Sequence, residues 1–229
     1  MKRKQFVILG CIFFILFSAN AFSAEGPYLG LQVSSVFLED AEFLLQGAPI
    51  GSGGENEAQF DEGTGFGIAI GYDFGMLRLE GEFEYRRNPV EGIAASAPVN
   101  GIAIAANTGR VSAWSFLLNG FFDIETGTLL TPYLGGGIGL ANIRWENVFY
   151  LGFPSVFDDN DTVLAYQFVG GIGIAINESW TMDIGYCYFA AVDPNIDWSF
   201  STFFLLNRAG STDLEYKSHN VSLGIRIAF

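Results

Sequence analysis

Four stretches of this chain carry residues whose types and spacing could do chemistry. Gly135-Gly136-Gly137-Ile138-Gly139 has the glycine density of a phosphate-cradling loop. Such a loop needs a Lys-Ser or Lys-Thr pair leading into a helix, and neither follows here. Asp158-Asp159-Asn160-Asp161 offers several oxygen ligands for calcium. The glycine and distal glutamate of an EF-type loop are absent, which leaves a solvated acidic loop tip and no metal site. His219 is the single histidine. A lipid deacylase would need a serine on the same face as that histidine, with an acidic residue to orient the ring. In an extended chain Ser218, Asn220 and Ser222 all point away from His219, so no catalytic residue and no enzyme activity is expected. The fourth stretch, LRLEGEFEYRR at 77–87, is charged at every second position: Arg78, Glu80, Glu82, Glu84 and Arg86. Leu77, Leu79, Gly81, Phe83 and Tyr85 lie between them. A strand with this pattern has one charged and one apolar face. In a soluble sandwich the charges would meet water. In a membrane barrel the apolar face would meet lipid and the charges would fill the lumen.

The elements that position these residues must be strands. Half of the 229 residues are apolar, 16% are charged, and Gly and Phe number 29 and 23. So aromatic a composition argues against disorder. Lys2-Arg3-Lys4, the apolar run Phe6–Phe17 and the small-residue site Ala19-Asn20-Ala21 form a secretory signal peptide, 1–21, with Ser23 and Ala24 as later cleavage positions. Ile8-Leu9-Gly10 before Cys11 resembles a lipidation site, but the apolar run continues past it. Residues 22–229 then form one domain. Losing three cations takes the formal net charge from −14 to −17, which leaves no basic footprint for nucleic acid. Cys187 remains as the lone cysteine, so no internal disulfide is expected. No later segment reaches the roughly 18 apolar residues of a membrane helix, so any membrane crossing is by strands.

Eight segments alternate with period 2, at about 28–37, 64–73, 77–87, 110–122, 131–145, 163–176, 180–189 and 216–229. Each is near the 9–11 residues that cross a bilayer as a tilted strand. Parity within 131–145 changes near Asn142, which reads as a bulge. Short connections (73–76, 123–129, 177–179) alternate with long ones (38–63, 88–109, 146–161, 190–213). That is the plan of an outer-membrane barrel with periplasmic termini. The faces opposite the apolar ones are rich in Gly and Ala, which suits the crowded interior of a narrow barrel and not a wet surface. The charged face therefore points inward. Arg78, Glu80, Glu82, Glu84, Arg86, Asp183 and Arg226 are expected to form a lumenal charge cluster, in which four carboxylates meet three arginines. Tyr28, Tyr72, Phe122, Trp180 and Phe229 on the short-turn side, and Tyr85, Trp114, Trp145 and Tyr188 on the other, read as two aromatic girdles. The first long loop is acidic, with Glu39, Asp40, Glu42, Glu55, Glu57, Asp61 and Glu62; this reads first as solubility, and second as a surface that repels anionic lipopolysaccharide and favours divalent or basic partners. The sequons at Asn177 and Asn220 fall in a tight turn and a strand.

The end of the chain, HNVSLGIRIAF, alternates Val221, Leu223, Ile225, Ile227 and Phe229 outward and looks like the assembly signal that closes outer-membrane barrels. TPYLGGGIGLA at 131–141 resembles the fifth strand of the opacity-protein and rickettsial-type surface-antigen families. YQFVGGIGIAINESWTMDIGYCYF at 166–189 resembles their sixth and seventh strands, and RLEGEFEYR their third. The mature chain is thus similar throughout to the OmpA-transmembrane-like superfamily. The resemblance implies an all-β, eight-stranded antiparallel up-and-down transmembrane β-barrel in the bacterial outer membrane, without cofactors. One departure is Tyr186-Cys187-Tyr188, where these families read Tyr-Arg-Tyr or Tyr-Arg-Phe, so a lumenal arginine is missing. No peptidoglycan-binding segment follows Phe229, so a cell-wall tether is not expected. The expected partners are outer-membrane lipid, lipopolysaccharide and the barrel assembly machinery, with an unspecified loop ligand and no nucleic acid. The expected role is a non-enzymatic surface protein that maintains the membrane and makes contact through long acidic loops. The alternative is a porin-like channel for small solutes.

Overall fold

The computed structural model describes residues 25–43, 56–95, 109–150, 153–201 and 207–229. The signal peptide, Cys11 and Glu55 lie outside this set. The described residues form twelve strands: β1 Gly26–Leu38, β2 Ala41–Phe43, β3 Asn56–Phe60, β4 Gly63–Asp73, β5 Leu77–Ala95, β6 Arg110–Asp123, β7 Leu130–Tyr150, β8 Phe153–Ala175, β9 Trp180–Ala191, β10 Asn195–Ser201, β11 Asn207–Asp213 and β12 Tyr216–Ala228. Eight of them close a ring in the order β1-β4-β5-β6-β7-β8-β9-β12, every neighbour antiparallel. Closure pairs Tyr28 with Ala228, and the final Phe229 amide donates to the Pro27 carbonyl. No strand edge is left unpaired at this level, as a lipid-embedded sheet requires.

The distribution of side chains is inverted relative to a water-soluble protein. Ile138, Ile70 and Leu164 are about two-thirds or more exposed on the outer face, whereas Arg86 is 0% exposed inside. In water such an arrangement would leave a continuous apolar band unburied and strand a guanidinium in the core. In a bilayer both are matched to their surroundings.

Inward glycines make room for large side chains on the next strand. A Cβ on Gly171 would lie 2.5 Å from the Tyr133 hydroxyl, and one on Gly137 would collide with the Asn119 amide. The glycine faces are covered mainly by Tyr28, Phe121, Tyr133, Asn119 and Gln32, with Arg226 over Gly173.

Three features differ from the sequence reading. The long connections contain strands. β7 and β8 run for 21 and 23 residues, about twice a bilayer crossing, so their outer halves stand beyond the membrane. β3 pairs with the outer part of β5, and the β10–β11 hairpin meets β8 at Trp198↔Phe157. Second, β7 has no bulge at Asn142: its register with β6 and β8 runs unbroken through that residue, and the irregularities fall farther along, between Trp145 and Val148 and between Val148 and Tyr150. Ala141, Ile143 and Trp145 simply keep pointing inward while Asn142 and Arg144 point outward. The medium outside changes from lipid to water there, so the outer face turns polar with no change in parity. Third, Tyr28 and Trp145 are buried in the lumen and belong to neither girdle. Tyr72, Phe122, Trp180 and Phe229 at one end, and Trp114 at the other, are exposed on the outer face.

Candidate functional site

The lumen is the place where polar chemistry is concentrated, and the alternation of β5, β9 and β12 turns all seven charged positions into it. Arg78, Glu82, Glu84 and Arg86 are buried, and Glu80, Asp183 and Arg226 are partly so. Their pairing is local. Near the short-turn end Arg78 Nε donates to Asp123 Oδ2 at 2.6 Å, and its guanidinium sits 4.6 Å from the Phe121 ring and 5.1 Å from the Tyr133 ring. Arg226 donates to both oxygens of Asp183, at 2.7 and 3.0 Å, the two-pronged geometry that suits a guanidinium to a carboxylate. Farther along, Arg86 donates to Glu84 at 2.5 Å and to Ser115 Oγ at 2.9 Å, with the Phe189 ring 4.1 Å from its Cζ.

Glu80 and Glu82 have no ion-pair partner among the described residues. Glu80 accepts from the Tyr28 hydroxyl at 2.8 Å and from Asn119 at 3.3 Å. Glu82 accepts from Asn119 at 2.8 Å and from Gln167 at 3.1 Å, while its Oε1 has no hydrogen-bond partner. Gln167 also accepts from the Cys187 thiol at 3.3 Å. Where the resembling families place an arginine, this chain therefore uses Cys187 and amide donors around Glu82.

Parity placed Ser115, Asn119 and Gln167 on the inward face, where they are buried, but sequence reasoning missed Asp123 and Tyr133 as members of this interior. Asp123 was legible: it continues the inward series Ser115, Leu117, Asn119, Phe121, but the segment was closed at Phe122. Gln167 and Asn119 could be placed inward by parity, yet nothing in the sequence says which carboxylate they reach.

Between these groups lies a cavity of about 70 Å³, lined among others by Glu80, Glu82, Glu84, Gln167, Asp183 and Arg226. It has room for a few water molecules. Toward the extracellular end the lumen is apolar. Leu117, Ile143, Trp145, Phe189 and Tyr216 pack together, joined by Ile196 of the β10–β11 hairpin and by Leu214, all 2% exposed or less. The hairpin thus contributes side chains that close the mouth.

Among the described residues no group of His, Cys, Asp and Glu could hold a metal ion. His219 lies on the outer face, where Tyr186 Oη and Glu39 Oε1 contact its two ring nitrogens at 2.5 and 2.8 Å; Ser218 is buried on the other face. Of the C-terminal series, Val221, Leu223, Ile225 and Phe229 are exposed outward and Ile227 partly so.

This closed, inside-out barrel is matched by the family model described as outer membrane protein beta-barrel domain, over residues 9–229. The chain belongs to that family. The outer membrane protein PagN of Salmonella typhimurium is 28% identical over 94% of this chain and 95% of its own length. A putative adhesin of Rickettsia felis is 24% identical over 59% of each. Among solved structures, the outer membrane protein OprG of Pseudomonas aeruginosa superimposes with a TM-score of 0.60, covering 92% of this chain and 99% of that one at 15% identity, which is a likeness of fold. As a member of the outer membrane β-barrel family, the protein resides in the bacterial outer membrane, and it presents long β-extensions at the surface.

Proposed function

We propose that this protein is a non-conducting, non-enzymatic surface barrel that makes contact through its extracellular β-extensions. The observation that carries this reading is the filled lumen: paired charges at one end, an apolar core at the other, and only a small cavity between. Eight strands leave an interior that side chains can fill, whereas water-filled channels belong to barrels of about sixteen strands. The strands standing beyond the membrane supply a rigid platform. Its described acidic residues include Glu39, Asp40, Glu42, Glu57, Asp61 and Glu62. Partial burial and neighbouring Glu57 hold the Asp40 carboxyl above the usual carboxylate range. The relative named a putative adhesin is consistent with a contact role. Catalysis finds no support in the described residues, because His219 and Ser218 point to opposite faces of β12.

The test is single-channel recording after refolding into a planar bilayer. The expected result is a silent membrane. Large, stable openings would instead establish a porin-like channel. Deleting the β10–β11 hairpin should then be compared, because a lumen closed by that hairpin would begin to leak when it is removed.

A further inference from the structure

The outer face of β5, β6 and β7 carries a feature that neither the lumen nor the acidic platform explains. Eight Lys and Arg side chains follow residue 4, in a chain with 25 carboxylates. Three of the eight are spent inside the barrel. Another three, Arg87, Arg110 and Arg144, are gathered on the outer face of three adjacent strands. Arg87 lies opposite Ser112, and Ser112 lies opposite Arg144. Arg110 stands two residues farther along the middle strand, opposite Glu146. With strands about 4.8 Å apart, the backbones of Arg87 and Arg144 stand about 10 Å from each other across the small Ser112.

The local charge stays positive. Glu146 contacts Arg110, and its other oxygen lies 3.2 Å from Arg144. One carboxylate thus serves two guanidiniums. Arg87 is exposed and has no ion pair among the described residues. The residue across from Arg144 on β8 is the neutral Asn160. By register the nearest further outward acid is Glu62, two residues before Thr64, which faces Arg87; Asp158 and Glu91 lie farther along the strands, so three arginines still outnumber Glu146 and Glu62.

Depth identifies the ligand. Immediately below the three arginines, toward the bilayer, the Tyr85 and Trp114 rings meet at 4.3 Å, while Phe83, deeper in the apolar band, packs 5.3 Å from Trp114. Outward aromatics of this kind mark the level of the lipid headgroups. Guanidiniums one step above that belt are level with phosphates, to which they can donate two parallel hydrogen bonds. A soluble anion would have to approach past the acidic platform, which repels it, whereas a lipid arrives laterally within the leaflet. We propose that Arg87, Arg110 and Arg144 form a docking site for the phosphate of an outer-leaflet anionic lipid, with Glu146 as the internal counter-charge that holds two of them in place. This site is separate from the proposed contact function, and either can fail without the other.

The test uses the full barrel refolded in nanodiscs of phosphatidylcholine containing a minority of phosphatidic acid, whose headgroup is a bare phosphate monoester. Lipid retained after detergent extraction is measured by native mass spectrometry. Charge-assisted hydrogen bonds to a phosphate support an enrichment of about tenfold or more over phosphatidylcholine in the unsubstituted protein. Arg87→Gln/Arg110→Gln/Arg144→Gln should reduce this to parity, and Glu146→Gln should increase it. Lys217→Gln, a change at a cation elsewhere on the barrel, should leave it unchanged. Heat-modifiable gel migration checks folding. If the triple variant does not fold, Arg87→Gln alone, which breaks no ion pair, should still lower retention severalfold. Full retention by the folded triple variant, or by Arg87→Gln where only that folds, would overturn the site. Displacement by millimolar inorganic phosphate would overturn its assignment to lipid.

Discussion

Arg86→Met removes the cation at the seam between the polar and apolar parts of the lumen while keeping much of its volume. The guanidinium is fully enclosed, held by Glu84 at 2.5 Å, Ser115 at 2.9 Å and the Phe189 ring at 4.1 Å. Without it, Glu84 keeps only two neutral donors, Ser34 Oγ at 3.2 Å and Gln32 Nε2 at 3.3 Å. Removing one partner of a buried pair costs about 3–5 kcal/mol, because the other charge stays desolvated and uncompensated. Losing the contact over Phe189 adds about 1 kcal/mol. Replacing both members of a buried pair by neutral groups is often close to neutral, so Arg86→Met/Glu84→Gln should regain at least about 2 kcal/mol relative to Arg86→Met alone. Urea unfolding in phosphatidylcholine vesicles, followed by tryptophan fluorescence and by loss of heat-modifiable migration, measures all three proteins at one pH. An Arg86→Met barrel within about 1 kcal/mol of the parent would refute the argument that this charge is sealed from water. A double variant no more stable than the single one would show that Arg86 acts by packing on Phe189 and not by neutralising Glu84.

Three further outcomes can be checked on the same preparations. Phe83 is exposed on the lipid face and Glu82 buried on the lumenal one, so Phe83→Arg should cost about 2–4 kcal/mol near the midplane, whereas Glu82→Gln, which neutralises a carboxylate lacking a cationic partner, should cost less. The reverse order would mean that inside and outside are exchanged. Deleting Phe229, whose amide closes the β1–β12 seam on Pro27, should lower outer-membrane levels in cells and leave precursor in the periplasm; unchanged insertion would dismiss the terminal series as an assembly signal. Cys187, held against Gln167 in the lumen, should react with a bulky maleimide only after unfolding. Rapid labelling of the folded barrel would show that strand β9 is turned the other way.

The barrel itself was legible because its cause is local. Alternation in LRLEGEFEYRR, the glycine faces of β4, β7 and β8, and the alternation of short and long connections each report which medium a face meets, and each can be read without knowing any partner strand. The interior pairing was not legible, because it depends on shear between strands. Arg78 reaches Asp123, at the far end of β6, and not one of the glutamates on its own strand. Glu82 meets amides from β6 and β8, both at one of its oxygens, and no cation. A count of four carboxylates against three arginines could only say that some carboxylate would lack a cation. It could not say that Asp123 would supply a fifth acid, or that Glu80 and Glu82 would be the two without an arginine.

The misread position on β7 shows the limit of pattern reading in a barrel. A period-2 pattern records a difference between two faces, and the difference can invert in two ways. A bulge rotates the strand by one residue, so the same media meet the opposite parity. Alternatively the strand passes from one pair of media to another. Below Asn142, β7 divides a crowded lumen of small residues from lipid. Beyond it, the same strand divides an apolar core, formed by Ile143 and Trp145, from water, met by Asn142 and Arg144. The hydrophobic face changes sides although no side chain has turned. Only the register with neighbouring strands separates the two cases, and here Asn142 stays opposite Trp114 and Thr162 in an unbroken ladder. The inversion therefore marks where the chain leaves the bilayer. It lies one step below the arginines on β5, β6 and β7, at the level where lipid phosphates end the apolar phase.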